Sequence, residues 1–140
     1  FHMREVVYLG GGDFVQGWNT KILQDTCAYF RRWGLGFTAL TATDPFFSVN
    51  NENKRSYQSL QGLKHEVQVH IPHDQSTVAC ASLNNHMQTL VKPFGIAADS
   101  GQLSSGCVGF GLERLTYALF AHHGLDIRSW PASVREDLAV

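Results

Sequence analysis

The stretch LKHEVQVHIP, residues 63–72, alternates apolar and polar side chains along its length. Successive side chains of a strand point to opposite faces, so a period of two predicts a strand with one buried and one polar face. The predicted inward set is Leu63, His65, Val67, Val69 and Ile71, and the outward set is Lys64, Glu66, Gln68 and His70. The pattern therefore predicts a half-buried strand of a sheet.

Other segments supply further strands and two helices. Strands are expected at about residues 2–9, in FTALTATD up to Asp44-Pro45, in STVACASLNN and in SGCVGF. A long helix is predicted within residues 11–36, and VNNENKRSYQ is polar enough for an exposed loop. Strands joined by long hairpin connections, with helices packed behind them, favour an α+β domain with a mainly antiparallel sheet.

Both predicted helices carry an apolar stripe. The inward face predicted for the long helix is Phe14, Trp18, Ile22, Ala28 or Tyr29, and Trp33. The second helix starts at about residue 111, and its stripe is Leu112, Leu115 and Leu119, widened by Ala118 and Phe120. Each stripe repeats at helical spacing, so each helix should pack one side against a core.

Composition limits the classes of function. The chain has 140 residues, 44% of them hydrophobic, and a net charge of -1, which is typical of one globular domain and indicates no tRNA-binding arm. It contains no apolar run of membrane-spanning length, and we expect no signal peptide from the pattern of its first residues. Three widely spaced cysteines argue against a disulfide framework, so the cytoplasm is the expected compartment. The opening strand lacks an initiator Met, so we expect a chain cut from something longer, or an unusual start at Met3.

Residues 104–120, SSGCVGFGLERLTYALF, place Arg114 in the first turn of the second helix, just after Gly109 and Gly111. A cation is unfavourable at a helix N-terminus unless an anion lies close by. That anion could be a carboxylate, such as Glu113 or another surface acid, or the phosphate of a nucleotide, because helix N-termini attract phosphate and glycines allow close approach. The third glycine of the dinucleotide fingerprint is missing.

Polar side chains also gather on two of the predicted strands. Lys64, Glu66 and Gln68 project to one side of the first, and Ser82 and Asn84 share a side of the next. If the strands are neighbours, these residues form a charged and hydroxylated floor on the sheet. The alternative is a solvent-exposed face without a function, which is common for antiparallel sheets.

Six ordered blocks of the chain resemble a known family. CVGFGLERLTYALFAHHG is similar to the third signature motif of class II aminoacyl-tRNA synthetases. Together with FHMREVVYLGGGDFV, ATDPFF, LKHEVQVHIP, ACASLNNHMQTL and HGLDIRSWP it resembles the amino acid:[carrier protein] ligases, truncated homologues of the atypical zinc-dependent seryl-tRNA synthetases. The resemblance covers nearly the whole chain and implies a class II synthetase-like catalytic domain.

The resemblance assigns expected roles to individual residues. Glu5 and Cys107 match two of the family's three zinc ligands, and Arg114 matches the arginine that grips ATP. Asp44 matches an acidic position that could face the amino group of the substrate. The other matching positions belong to the active-site floor or the nucleotide-binding turn, with Lys64 and Glu66 expected to be catalytic: Lys64, Glu66, Ser82, Asn84, Gly109 and Gly111.

The implied reaction is adenylation followed by thioester formation. The cofactors would be ATP, Mg²⁺ and Zn²⁺, the substrate a small amino acid such as glycine or alanine, and the acceptor the phosphopantetheine thiol of a carrier protein. We expect a homodimer for the full-length protein. The family's first motif, the first strand of its second motif and its first zinc Cys would lie upstream of this chain, so we expect a partial domain that is inactive alone. The alternatives are a non-catalytic binding module and part of an atypical seryl-tRNA synthetase.

Overall fold

Five strands form one antiparallel sheet in the computed structural model, which describes residues 1–41, 63–99 and 101–140. The strands are β1 (Met3–Gly10), β2 (Phe37–Thr41), β3 (Lys64–His70), β4 (Thr77–Met87) and β5 (Ser104–Gly111). Their order across the described sheet is β1-β5-β4-β3-β2, and every neighbouring pair is antiparallel. The α+β class with a mainly antiparallel sheet, predicted from the sequence, is confirmed.

Helices cover one face of this sheet, which we call the rear face. They are α1 (Gly12–Arg32), α2 (Leu112–His123) and α3 (Ala132–Leu138), with a 3₁₀ turn at Ile127–Ser129. The core between helices and sheet includes Val67, Val69, Ala81, Leu83, Val108, Phe30, Trp33, Ala118 and Leu119. As the alternation along residues 63–72 predicts, the apolar side chains of β3 point into this core. The opposite face is called the front face below.

The inward stripe predicted for α1 is partly wrong. Phe14, Trp18 and Tyr29 are 49%, 43% and 51% exposed, whereas Val15, Asn19, Thr26, Cys27 and Phe30 are buried. Two members of the true stripe are polar, which hides its period. Asn19 can be buried because its side-chain oxygen accepts a hydrogen bond from the hydroxyl of Tyr8 on β1.

Helix α2 largely follows its prediction. Ala118 and Leu119 are buried, and Leu115 and Phe120 pack against the core, but Leu112 is 42% exposed. Gly111 precedes the helix in an extended conformation, and Leu112 then lies in the first turn, at the border of the core. The end of the strand predicted up to Asp44, and the loop VNNENKRSYQ, lie outside the described residues.

No helix within residues 1–41, 63–99 and 101–140 is both long enough and apolar enough to cross a membrane.

Candidate functional site

The front face of the sheet carries most of the predicted site residues, in two rows that run across the strands. Directly paired residues of neighbouring strands point to the same face. One row follows the pairs Glu66–Ser82, Ser82–Gly109 and Gly109–Glu5. The other follows Lys64–Asn84, Asn84–Cys107 and Cys107–Val7. Residues that are up to 104 positions apart in sequence are thus brought to one surface.

Lys64 and Glu66 form an ion pair at the β3 end of these rows. The Nζ atom of Lys64 lies 3.1 Å from Oε1 of Glu66, and the two side chains are only 14% and 18% exposed. The amide of Gln68 donates a second hydrogen bond to Glu66, at 3.3 Å. Two charges held in a partly dehydrated position interact more strongly than surface charges, but they also cost more to bury.

Asn84 lies at the centre of the front face and is 6% exposed. Its Nδ2 atom is 3.4 Å from Oγ of Ser82 and 3.6 Å from Sγ of Cys107. Its Oδ1 atom is buried and has no hydrogen-bond partner among the described residues. An acceptor of this kind costs free energy unless a donor reaches it, so the centre of the face is suited to a ligand with an N–H or O–H group.

Cys107 lies beside two further polar side chains. Its Sγ atom is 3.4 Å from Nε2 of His86, and the Nδ1 atom of His86 is 3.0 Å from Oγ of Ser105. Burial, followed by a hydrogen bond with the Glu5 side chain, raises the pKa of the Cys107 thiol to about 12. Burial lowers the pKa of His86, and the nearby charge of Glu5 opposes that effect. The Cys107 thiol and the His86 ring are therefore both neutral near pH 7 in the metal-free protein.

Three side chains of the donor types that bind zinc lie at one corner of the front face. Thiolate, carboxylate and imidazole are the donors that zinc prefers, and Glu5, Cys107 and His86 bring one of each to the same corner of the front face. Across residues 1–41, 63–99 and 101–140, however, no three such side chains are arranged as a metal-binding group. Glu5 and Cys107 meet as the resemblance implies, and their assignment as zinc ligands stays a prediction.

Arg114 lies in the first turn of α2, where it contacts both the N-terminal residue of the chain and β4. Its Nη1 atom donates a hydrogen bond to the carbonyl oxygen of Ala79, at 3.2 Å, and its guanidinium lies 4.9 Å from the centre of the Phe1 ring. Glu113, the neighbour considered from the sequence, instead pairs with His2 at 2.5 Å. Within the described ranges Arg114 has no carboxylate partner, which leaves its charge available to an anion.

The two glycines before Arg114 accommodate side chains of the chain itself. A Cβ atom added at Gly109 would lie 2.6 Å from Cε of Met3, and one added at Gly111 would lie 2.8 Å from Cζ of Phe1. Both neighbours are ends of flexible side chains that could move aside. Packing in the described structure therefore does not require glycine at either position, and their predicted contact with a nucleotide stays a prediction.

Asp44 stays a prediction, and His86 is a front-face residue that was not predicted from the sequence. Asp44, predicted to face the substrate, lies outside the described residues. His86 was not predicted, although it contacts Cys107 directly. The predicted strand STVACASLNN ended at Asn85, whereas β4 runs to Met87, so His86 follows Ser82 and Asn84 at a spacing of two and lies on the front face beside Ser105. The period of two, continued one step beyond Asn84, is the sequence signal that would have placed His86 on this face.

Comparisons with known proteins agree with this fold and with these blocks. No protein-family model matches the chain. The chain is 36% identical over 141 aligned residues to amino acid–[acyl-carrier-protein] ligase 1 of Bradyrhizobium diazoefficiens, an alignment that covers 100% of the chain and 43% of that protein. Ligase 2 of the same organism is 33% identical, again over 100% of the chain, with 42% of that protein covered.

More distant relatives are serine–tRNA ligases. The type-2 serine–tRNA ligase of Methanococcus aeolicus is 25% identical over 96% of the chain and 27% of that protein. Among solved structures, M. kandleri SerRS in complex with A. aeolicus tRNASec matches with a TM-score of 0.81 at 22% identity, over 99% of the chain and 28% of that protein. The second likeness supports the fold alone.

The resemblance predicted from the sequence is therefore confirmed. Over its whole length the chain is homologous to a segment of the amino acid–[acyl-carrier-protein] ligases and, at lower identity, of the type-2 serine–tRNA ligases. It spans about two fifths of the length of the two ligases that it matches at 33–36% identity. The fold is that of part of a class II synthetase-like domain.

Proposed function

We propose that the front face is part of a site at which a small amino acid, glycine or alanine, is activated with ATP and then passed to the phosphopantetheine thiol of a carrier protein. The observation that supports this proposal most directly is the pair of rows across the sheet. They bring Lys64, Glu66, Asn84, Glu5 and Cys107 to one surface, although these residues come from four strands.

Activation joins the amino-acid carboxylate to the α-phosphate of ATP and releases pyrophosphate. Negative charge develops on the phosphate oxygens, so fixed cations and hydrogen-bond donors near them lower the barrier. Arg114, which lacks a described acid partner, would hold the phosphates together with Mg²⁺. Lys64 would lie closer to the amino acid, and its pairing with Glu66 keeps the ammonium group in place.

The amino group of the substrate needs an acceptor or a Lewis acid. A zinc ion bound with Glu5 and Cys107 would accept the nitrogen lone pair. His86 lies against Cys107 and accepts from or donates to Ser105, so it would fix the orientation of the cysteine side chain. The unpartnered oxygen of Asn84 would accept a hydrogen bond from the adenosine hydroxyls or from the amino group.

ATP binding to the 140-residue chain tests the nucleotide part of the proposal directly. We expect Arg114→Ala to weaken binding about tenfold, because an arginine–phosphate contact is a charge-assisted hydrogen bond. Arg128→Ala is the matched control: Arg128 is exposed and pairs with Asp126 at 2.9 Å, outside the front face. Equal affinity for wild type and Arg114→Ala, measured calorimetrically, would contradict the role of Arg114.

A chimera tests the reaction itself. The matched segment of B. diazoefficiens ligase 1 would be replaced by this chain, and pyrophosphate exchange would be measured with glycine, alanine and serine. Exchange with glycine or alanine supports the proposal, and its loss in a chimera carrying Arg114→Ala assigns the activity to this chain.

Serine is the informative competitor because type-2 serine–tRNA ligases also match the chain. Exchange with serine alone would favour a seryl-tRNA synthetase segment over a carrier-protein ligase. A non-catalytic module would be favoured by two results together. The folded chimera would show no exchange with any of the three amino acids, and the 140-residue chain would not bind ATP.

A further inference from the structure

The rear side of the molecule contains a cavity of about 470 Å³ among α1, α2, α3 and the paired ends of β1 and β5. A cavity of this size falls within the usual range for small-molecule sites. Its position does not overlap the front face, because Arg4 and Phe110 pair across β1 and β5 and point to the rear. The residues that the argument uses are Arg4, Asp25, Trp33, Leu112, Leu115 and Asp137.

Aromatic and aliphatic side chains form most of the wall. The Trp33 ring stacks with Phe30 at 6.0 Å and lies 5.8 Å from the ring of Tyr29. The indole N–H of Trp33 donates to Asp137 at 2.9 Å, so the polar atom of the ring is already satisfied. Leu112 and Leu115 line the cavity from α2. The wall is therefore suited to an apolar ligand body.

Among the described residues around the cavity, one cation has no partner. Asp25 pairs with Lys21 at 2.8 Å, and Asp137 pairs with Arg32 at 2.8 Å. Arg4 forms no hydrogen bond or ion pair with a residue in the described ranges, although it lines the same cavity. With both carboxylates neutralised, the remaining electrostatic preference at the cavity is for an anion.

We propose that this rear cavity binds a small carboxylic acid with an aliphatic or aromatic body. The body lies against Trp33, Leu112 and Leu115, and the carboxylate lies at Arg4. Arg4 offers a planar fork of N–H donors, the geometry that carboxylates accept best. Because the cavity is on the opposite face from the candidate active site, this binding does not depend on ATP or on the proposed reaction.

The test uses the 140-residue chain and three probes of equal length: octanoate, octanol and octylammonium. We expect octanoate to bind about fivefold more tightly than octanol, and octylammonium to bind most weakly, because an exposed ion pair contributes modestly to affinity. The indole N–H resonance of Trp33 reports binding in the cavity, since that group lies in its wall.

Two variants locate the site. Arg4→Gln should remove the preference for octanoate over octanol while leaving octanol binding unchanged. Leu112→Trp, at a position that is 42% exposed, should block all three probes without disturbing the core. Arg128→Gln removes the same charge far from the cavity and should change nothing.

Three outcomes overturn the proposal. One is equal affinity for the three probes, and a second is an octanoate preference that survives in Arg4→Gln. The third is binding that leaves the Trp33 resonance unmoved and instead shifts front-face residues. None of these outcomes bears on ATP binding, so they are distinct from failure of the proposed function.

Discussion

On the rear face of the sheet, β3 and β4 bury Val67, Val69 and Leu83 against helices. On the front face the same two strands carry Lys64, Glu66 and Asn84, which are also largely withdrawn from solvent. Apolar burial stabilises the fold, whereas a buried polar group at best recovers the hydration that it loses. The rear face therefore stabilises the fold, whereas burial of polar groups on the front face costs free energy that ligand binding would offset.

The strongest test of this contrast uses neighbouring residues of β4 that point to opposite faces. Leu83 is 1% exposed in the core, so Leu83→Ala should lower the free energy of unfolding by about 2–5 kcal/mol. Ser82→Ala should cost about 1 kcal/mol or less, since it removes one weak hydrogen bond at 3.4 Å. Urea denaturation measures both. Similar losses at the two positions would show that the faces contribute equally to stability.

The Lys64–Glu66 pair sharpens the comparison within the front face. Glu66→Leu leaves the ammonium group of Lys64, 14% exposed, without its partner and should cost about 1–3 kcal/mol. The double variant Lys64→Met with Glu66→Leu should regain stability to within about 1 kcal/mol of wild type, because apolar residues of similar volume replace a buried ion pair well.

In the chimera, the same double variant should lose pyrophosphate exchange, because Lys64 is proposed to lie beside the amino acid. If the double variant loses as much stability as the two single variants together, Lys64 and Glu66 do not interact as the 3.1 Å contact indicates. If stability returns and exchange is kept, the pair is not part of the amino-acid site. Stability that returns while exchange is lost is the result that separates the functions of the two faces.

Sequence periodicity predicted the rear face much better than the front. The burial of Val67 and Val69 followed from strict alternation, because a period of two assigns every residue of a strand to one face or the other. On α1 the buried stripe includes polar Asn19 and Thr26, so hydrophobicity alone selected the exposed Phe14 and Trp18 instead. The sequence could not show that Asn19 has a hydrogen-bond partner on another element.

The front face was predicted by two different routes. Alternation placed Lys64 and Glu66 on one side of β3, and the register then aligned them with β4. Glu5 and Cys107 came from family resemblance, since no spacing connects residues on β1 and β5. Neither route identified His86, because the predicted strand ended at Asn85 whereas β4 continues to Met87, which adds one more front-face position after Asn84.

The strand β1 lies at one edge of the described sheet and carries exposed apolar side chains. In the described sheet it has β5 as its one neighbour, and Val7 is 57% exposed. An exposed apolar edge promotes association with other chains, so we expect concentration-dependent self-association of the 140-residue chain. Val7→Lys should suppress it while changing the free energy of unfolding by no more than about 0.5 kcal/mol.

Size-exclusion chromatography at several concentrations measures that association. Leu125→Lys is the control, because Leu125 is 86% exposed and lies outside the sheet. Equal suppression by both variants would show that general hydrophobicity, and not the edge of β1, causes the association. A wild-type chain that stays monomeric throughout the range would contradict the prediction outright.

The smallest expected effect concerns the exposed contact between β1 and α2, where neither face of the sheet contributes. A hydrogen bond with the His2 ring, followed by one from the His2 backbone N–H, lowers the pKa of Glu113 from 4.5 to about 2. Because this pKa is lower in the folded state, the unfolded chain takes up the proton first as pH falls. The stabilisation is thus complete above about pH 5 and disappears as pH approaches 2.

Glu113→Gln should therefore lower the melting temperature slightly near pH 6 and have no effect near pH 2. The difference should shrink in high salt, because both groups are exposed. Asp99→Asn removes a charge from an exposed acid with no described partner and should leave the pH profile unchanged. A Glu113→Gln effect that is constant from pH 2 to 6 would show that the contact stabilises through packing. In that case the junction of β1 with α2 would belong with the rear face, as a source of stability that does not depend on charge.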